Sequence, residues 1–259
     1  MKHFSMTQKI GLVLVILIVG DTVIGIFFTP YNPNGMDALS KNLPPSLVHP
    51  FGTDNFGRDI FSRVMDGAKT TFIIAVATVA IGALVGGIVG AITGYYGGVV
   101  DEVLMRFNDV VASFPSILLA LVMISVLGPG KYKIIWSLGI VFIPSFARIV
   151  RSEYVTQKQL DYVKNARLMG ASHLRIIVHH ILPNTKNILL SSIAIGFNNA
   201  ILAEAGMSYL GLGVQPPDPS LGRMLSEAQT YLTTAPWYVL APGITIILTV
   251  LGFSLLVER

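Results

Sequence analysis

Six apolar runs, near residues 10–29, 72–96, 104–127, 134–150, 187–209 and 236–256, divide this chain of 259 residues. Each approaches or reaches the roughly 20 residues that carry an α-helix across a bilayer. In hydrocarbon every backbone polar group must be satisfied inside the protein, which leaves helices for runs of this length. The predicted class is therefore all-α: a polytopic membrane protein of six transmembrane helices. Composition agrees, because 53% of the residues are hydrophobic and 12% charged, with a mean hydropathy of +0.67, where a soluble domain carries about a quarter charged residues. The basic start, Met1 to Lys9, leads straight into the first run with no small-residue cleavage site, so that run is expected to stay as a span.

Charge sets the expected orientation. Between the fourth and fifth runs lie Arg148, Arg151, Lys158, Lys164, Arg167, Arg175 and Lys186 against Glu153 and Asp161. Loops rich in lysine and arginine stay in the cytoplasm, and an even number of spans then brings both termini inside, in keeping with Lys2 and Lys9. The loop between the first two runs is placed outside although it holds Lys41, Arg58, Arg63 and Lys69, since Asp37, Asp54, Asp59 and Asp66 balance them and long loops follow the charge rule less strictly. The net charge of +4 reflects this topology and gives no sign of a nucleic-acid partner.

The basic stretch DYVKNARLMGASHLRIIVHHILPN, residues 161–184, stands apart from the apolar runs around it. Leu160, Val163, Ala166 and Met169 recur on one side of a predicted helix over 157–169. Gly170 suits a left-handed turn after it, and Ser172 can cap a second helix carrying Leu174, Ile177, Val178 and Ile181 until Pro183 ends it. The result is a bent hairpin with a short apolar ridge flanked by cations. Two roles fit such a ridge: insertion into a groove on another protein, or rest on anionic lipid.

The first outer loop opens with TPYNPNGMDALSKNLPPSLVHP, too rich in turn residues for regular structure. Asp54 or Asp59 can then cap a short interfacial helix bearing Ile60, Phe61, Val64 and Met65. In the last outer loop Pro216, Pro217 and Pro219 stop the fifth span, LGRMLSEAQTYL forms a second short helix, and Trp237 is expected at the membrane interface. The second span, GALVGGIVGAITGYYGG, has a face of small residues that must pack closely on a helix of this chain or of another subunit. Arg106 and Asp109 are spaced to pair in the third span, and Pro144 is expected to kink the fourth. Two acids lie within spans, Asp21 and Glu204. An intramembrane carboxylate is a candidate for the translocation path; the structural alternative is an acid that is protonated or held by a neighbouring donor.

Several chemistries are excluded. With no cysteine there is neither disulfide nor thiolate site. No GxxxxGK[ST] occurs, GPGKYK at 128–133 lacking that spacing, so nucleotide phosphates have no cradle here. His179 and His180 are adjacent and diverge by about 100° on a helix, which makes them a poor metal pair. The chain is read as a transport subunit without catalytic residues, metal or cofactor of its own. An ion-coupled carrier using Asp21 or Glu204 is a competing class, but the matching interrupted helices such carriers show are not seen. A passive structural subunit would leave the outer loops idle.

NARLMGASHLRIIVHHILPN resembles the EAA loop of permease subunits of bacterial ABC importers, with Ala166, Gly170, Leu182 and Pro183 on the pattern. Lys164 replaces the usual glutamate, Asn165 the first alanine, and His180 a frequent isoleucine. HPFGTDNFGRDIFSRVMDGAKTTF and AEAGMSYLGLGVQPPDPSLGRML are similar to segments of the C-type permease of the dipeptide, oligopeptide and nickel branch. Such permeases often carry a short polar tail, whereas this chain stops at Glu258 and Arg259. The resemblance implies the type I importer fold, with an N-terminal helix and outer loop over 1–71 and a core over 72–259. It implies a coupling loop at about 152–186, with Asp161, Ala166, Gly170, Ala171, Ser172, Leu182 and Pro183 docking an ATPase. The implied partners are a sister permease, two cytoplasmic subunits that bind ATP and Mg, and an external solute-binding protein delivering peptides or, alternatively, a nickel chelate. The implied location is the bacterial inner membrane.

Overall fold

The computed structural model describes residues 5–257; Lys2, Glu258 and Arg259 lie outside them. Among the described residues the structure is helical throughout, apart from irregular connections and one isolated bridge between Thr53 and Asp59. Five helices are long and apolar enough to cross a membrane, or six if one bent pair counts as a span. The residues form two compact units, one comprising the chain up to Val76, Leu121–Ile135 and everything from Phe197 onward, the other Ala77–Ala120 and Trp136–Gly196.

In the first unit, α1 (Met6–Phe27) begins at a capping box in which Ser5 and Gln8 satisfy each other's backbone N–H groups. It packs along α10 (Pro236–Val257), where Gly11 lies against the Gly252 carbonyl and Leu255. The segment from Phe28 to Asp59 is irregular, as its prolines predict. Asp59 then receives the Ser62 N–H at 2.8 Å and starts α2 (Ile60–Tyr96), a single helix of 37 residues. This corrects the short interfacial helix expected at Ile60 to Met65. No proline interrupts residues 60–96, and Ile60, Val64, Met65 and Ala68 are buried in the protein rather than laid on a membrane surface. α9 (Leu221–Ala228) starts at Ser220, whose hydroxyl accepts from the Arg223 N–H, and packs on α10. The Trp237 indole lies against Gly52, with Nε1 buried and unpartnered.

In the second unit, the small residues of α2 find their neighbour in this chain. Gly86, Gly90 and Gly94 lie on α5 (Lys131–Gln157); a β-carbon at Gly90 would stand 2.4 Å from the Ala147 carbonyl oxygen, and one at Gly86 2.5 Å from that of Ile143. Glycines at four-residue spacing form one face, which lets the two backbones meet. The third span is corrected. Residues 104–127 are not one helix but α3 (Gly98–Ala112) and α4 (Ser116–Leu127), bent by 83°. Pro115 has no N–H to continue the ladder and disfavours helical geometry at Phe114 before it. The expected Arg106–Asp109 pair is also replaced: Arg106 lies 3.6 Å from Glu102, one turn back, while Asp109 accepts from Arg148 of α5 at 2.8 Å. Both pairs are exposed and contribute little to stability. α5 runs through Pro144 as one helix, and Asn108 donates to the Pro144 carbonyl at 3.4 Å.

Candidate functional site

The basic stretch folds as the hairpin its glycine and serine suggest, with shifted limits. α6 spans Asp161–Leu168 instead of 157–169, because residues up to Gln157 belong to α5. Its C-terminal turn passes through Gly170 at φ +80°, and the Ala171 N–H returns to the Ala166 carbonyl at 3.0 Å. Ser172 caps the following α7 (His173–Arg175) by accepting the Arg175 N–H.

Pro183 does not end this second helix. α7 continues into a π turn over Ile176–Ile181 and then α8 (Leu182–Tyr209), and Pro183 sits inside the run. The π turn lets the helix pass the proline by moving to i→i−5 bonding, seen in the Leu182 N–H to Ile177 carbonyl bond. Side chains reinforce the carbonyls of this turn: the Tyr154 hydroxyl also donates to Ile177 at 3.2 Å and the Asn184 amide donates to His180 at 2.7 Å.

The hairpin is anchored from beneath. Val163, Ala166, Ile176 and Ile181 are buried with Tyr95, Val150 and Tyr154 in one apolar cluster, and Ala171 and Ile177 pack on its edge. Tyr95 shares a 2.8 Å hydrogen bond with His173, and Lys158 Nζ donates to the Tyr95 carbonyl at 2.9 Å, closing the end of α2 with a positive charge. Burial of the Tyr162 hydroxyl pushes its pKa above the ordinary phenol value. Asp161 is exposed in the first turn of α6, paired with Lys164 at 2.9 Å.

What remains outside is apolar. Leu168 is 86% exposed, Met169 87% and Leu174 71%, with Val178 and Leu182 beside them. Of the expected ridge, Ile181 faces the core, Ile177 is half-buried, and only Leu174 and Val178 stand out. Leu168 and Met169 replace the missing members. A shallow groove of about 450 Å³ runs past Ser172, Leu174, Arg175, Val178 and His179. An apolar tip of this kind on a rigid base, rimmed by Arg175 and Lys164, is suited to a protein groove.

The two intramembrane acids lie elsewhere. Glu204 is fully buried; Thr71 donates to it at 2.9 Å and Ser208 at 2.6 Å, while these two hydroxyls accept the Leu221 and Val214 N–H groups. The node joins α2, α8 and the start of α9 and is structural. Asp21 is half-buried on α1, and its carboxylate has no partner among the described residues.

One cluster escaped the sequence reading. Arg58 donates to Asp54 at 2.5 Å and to Glu227 at 2.9 Å; Arg63, fully buried, lies 3.3 Å from Glu227, and the Tyr238 hydroxyl donates to the same carboxylate at 3.1 Å. Arg223 reaches its other oxygen at 3.2 Å. Burial alone would raise the Glu227 pKa, but the Arg63 and Arg58 guanidiniums outweigh it and hold it below the usual carboxylate value. The one local signal was Arg223 four residues before Glu227, a common surface pairing.

Comparison with known proteins adds relatives over nearly the whole length. A peptide transport system permease protein of Brucella abortus biovar 1 is 41% identical over 256 residues, 99% of this chain and 86% of its own. The dipeptide transport system permease protein DppC of Alkalihalophilus pseudofirmus is 37% identical over 96% of this chain and 83% of its own. The glutathione transport system permease protein GsiD of Escherichia coli is 40% identical over 98% and 84%. Among solved structures, a chain of the MetNI methionine ABC transporter, in an inward-facing conformation, superposes with a TM-score of 0.61 over 76% of this chain and 97% of that one; at 18% identity it supports the fold alone. The model of the binding-protein-dependent transport system inner membrane components matches residues 86–259. With these relatives and this helical architecture, the chain belongs to the family of binding-protein-dependent transport system inner membrane components, the permeases of ABC transporters.

Proposed function

We propose that this chain forms, with a sister permease, the path of an ATP-driven importer of di- or oligopeptides. An extracytoplasmic solute-binding protein delivers the cargo, and two cytoplasmic subunits bind ATP and Mg and hydrolyse the nucleotide. The chain has both termini in the cytoplasm of a bacterium. The observation that carries the reading is the exposed tip Leu168, Met169 and Leu174 on its buried anchor. Residues Asp161 to Pro183 insert that tip into an ATPase subunit, and closure of the ATPase pair moves the helices. The names of the relatives, peptide, dipeptide and glutathione systems, favour peptide cargo over a nickel chelate. Glu204 commits its oxygens to Thr71 and Ser208, which counts against its use as an ion relay.

The test is ATP hydrolysis by the complex reconstituted with its partners. Stimulation by short peptides and not by nickel chelates is the expected result; stimulation by the chelate alone would overturn the cargo, and uptake that survives ATP depletion but collapses with an ionophore would overturn the mechanism. Gly170→Leu gives a sharper reading. No atom lies within 4 Å of the added β-carbon, so the substitution acts only through the left-handed backbone, at about 1–2 kcal/mol. Peptide uptake is expected to fall at least about ten-fold while ATP hydrolysis persists, and Gly170→Asn, which tolerates the turn, to retain most uptake. Normal uptake by the leucine variant would remove the hairpin from coupling.

A further inference from the structure

The buried cluster around Glu227 forms the floor of a cleft. The cleft has a volume of about 400 Å³ and lies between residues 36–58 and 216–231, lined by the charged Arg58, Arg223 and Glu227, the aromatic Phe56 and Tyr231, and the polar Asn55 and Thr230. Three features define what it accepts. Three guanidiniums, of Arg58, Arg63 and Arg223, meet two carboxylates, of Asp54 and Glu227, so the floor carries one positive charge in excess. Arg223 uses its Nε on Glu227, and its terminal nitrogens have no partner among the described residues. The side-chain oxygen of Asn55 is buried with no donor. An occupant that completes the cleft brings a carboxylate for Arg223, an N–H for Asn55, and apolar surface for Phe56 and Tyr231. A polypeptide segment with an acidic side chain supplies all three.

The floor decides between a docking protein and cargo in transit. Arg63 and Tyr238 beneath the cleft are fully buried and bound to the same carboxylate as Arg58. This packed cluster lies behind Glu227 on the cleft's lining, which favours a docked segment over cargo in transit. We infer that the cleft is a docking socket for an acidic, apolar-flanked loop of the solute-binding protein. This rests on the importer reading above, which sets residues 28–59 and 210–235 on the extracytoplasmic side.

Thr230 is exposed at the cleft and lies outside the ion cluster, so charge is varied there without disturbing the fold. The complete complex is reconstituted in proteoliposomes, and ATP-dependent uptake of alanyl-alanine is measured while the concentration of its binding protein is raised. Thr230→Glu is expected to raise the half-saturating concentration of binding protein about ten-fold, Thr230→Lys to leave it unchanged or lower it, and Arg223→Gln to raise it about five-fold. Equal half-saturation for the glutamate and lysine variants overturns the socket. So does a rise in the KM for the free dipeptide with unchanged half-saturation, which would make the cleft a cargo subsite. Loss of binding-protein stimulation already in the unsubstituted complex removes the importer reading and the socket together; stimulation that ignores charge at Thr230 removes the socket alone.

Discussion

Glu227→Ala is expected to destabilise the subunit by about 3–5 kcal/mol, because it leaves the Arg58 and Arg63 guanidiniums buried without their shared carboxylate. Removing one partner of a buried pair costs far more than the pair itself contributes. The alanine variant should therefore be recovered poorly in detergent and melt early, and adding Arg63→Met should restore part of the loss by removing the orphaned charge. The pH dependence has a definite sign. Folding holds the Glu227 pKa below its ordinary 4.5, so the stabilisation is complete above that value and drains away as the pH falls through the lower, folded-state value. Thermal unfolding of the purified subunit should become easier with acid below pH 4.5, and Glu227→Gln should flatten this dependence. An alanine variant as stable as the parent would show the cluster to be dispensable.

Gly90→Leu is expected to prevent stable folding of the second unit. Its β-carbon would sit 2.4 Å from the Ala147 carbonyl oxygen and 2.8 Å from the Arg151 nitrogen, both backbone atoms that cannot turn aside. Overpacking of this kind costs about 3 kcal/mol or more, and relief requires α2 and α5 to separate along their shared face. Gly87, three residues away, has nothing within 4 Å of its β-carbon. Gly87→Leu should therefore leave the amount of monodisperse protein recovered by size exclusion unchanged, while Gly90→Leu should abolish it. Equal recovery would refute the close approach of the two helices.

The contrast between these glycines shows what a linear reading can reach. The density of small residues in the second span announced a close helix contact, but the partner helix, and which glycines face it, depends on residues some sixty positions later. Gly170 and Ser172 were legible because a left-handed turn and a capping hydroxyl act within three residues of themselves. Pro183 misled for the complementary reason. Its neighbours allow it inside a helix only with help from Tyr154 and Asn184 and a π turn, and the first of these lies 23 residues from the carbonyl it serves. The bend at Ser113 to Pro115 was hidden because apolar length says that a segment suits lipid, not that it is straight. Glu227 stayed unseen since Arg58, 169 positions earlier, looked balanced by the nearby aspartates, and Arg63 likewise.

That separation of 169 residues has a consequence for synthesis. A ribosome working at 5–20 residues per second leaves roughly 10–30 s between the emergence of Arg58 and that of Glu227. Until residue 227 arrives Arg63 has only Asp54, 3.8 Å away in the folded protein, as a counter-charge, and until residue 204 arrives Thr71 lacks the acid it will bind. The first compact unit cannot close in the order in which it is made. Its earliest segments wait, solvated or held by insertion factors, until the final hairpin arrives, so nascent chains halted before residue 227 should stay open to protease at residues 52–59, which are largely buried in the folded protein, and chains halted after α10 should not.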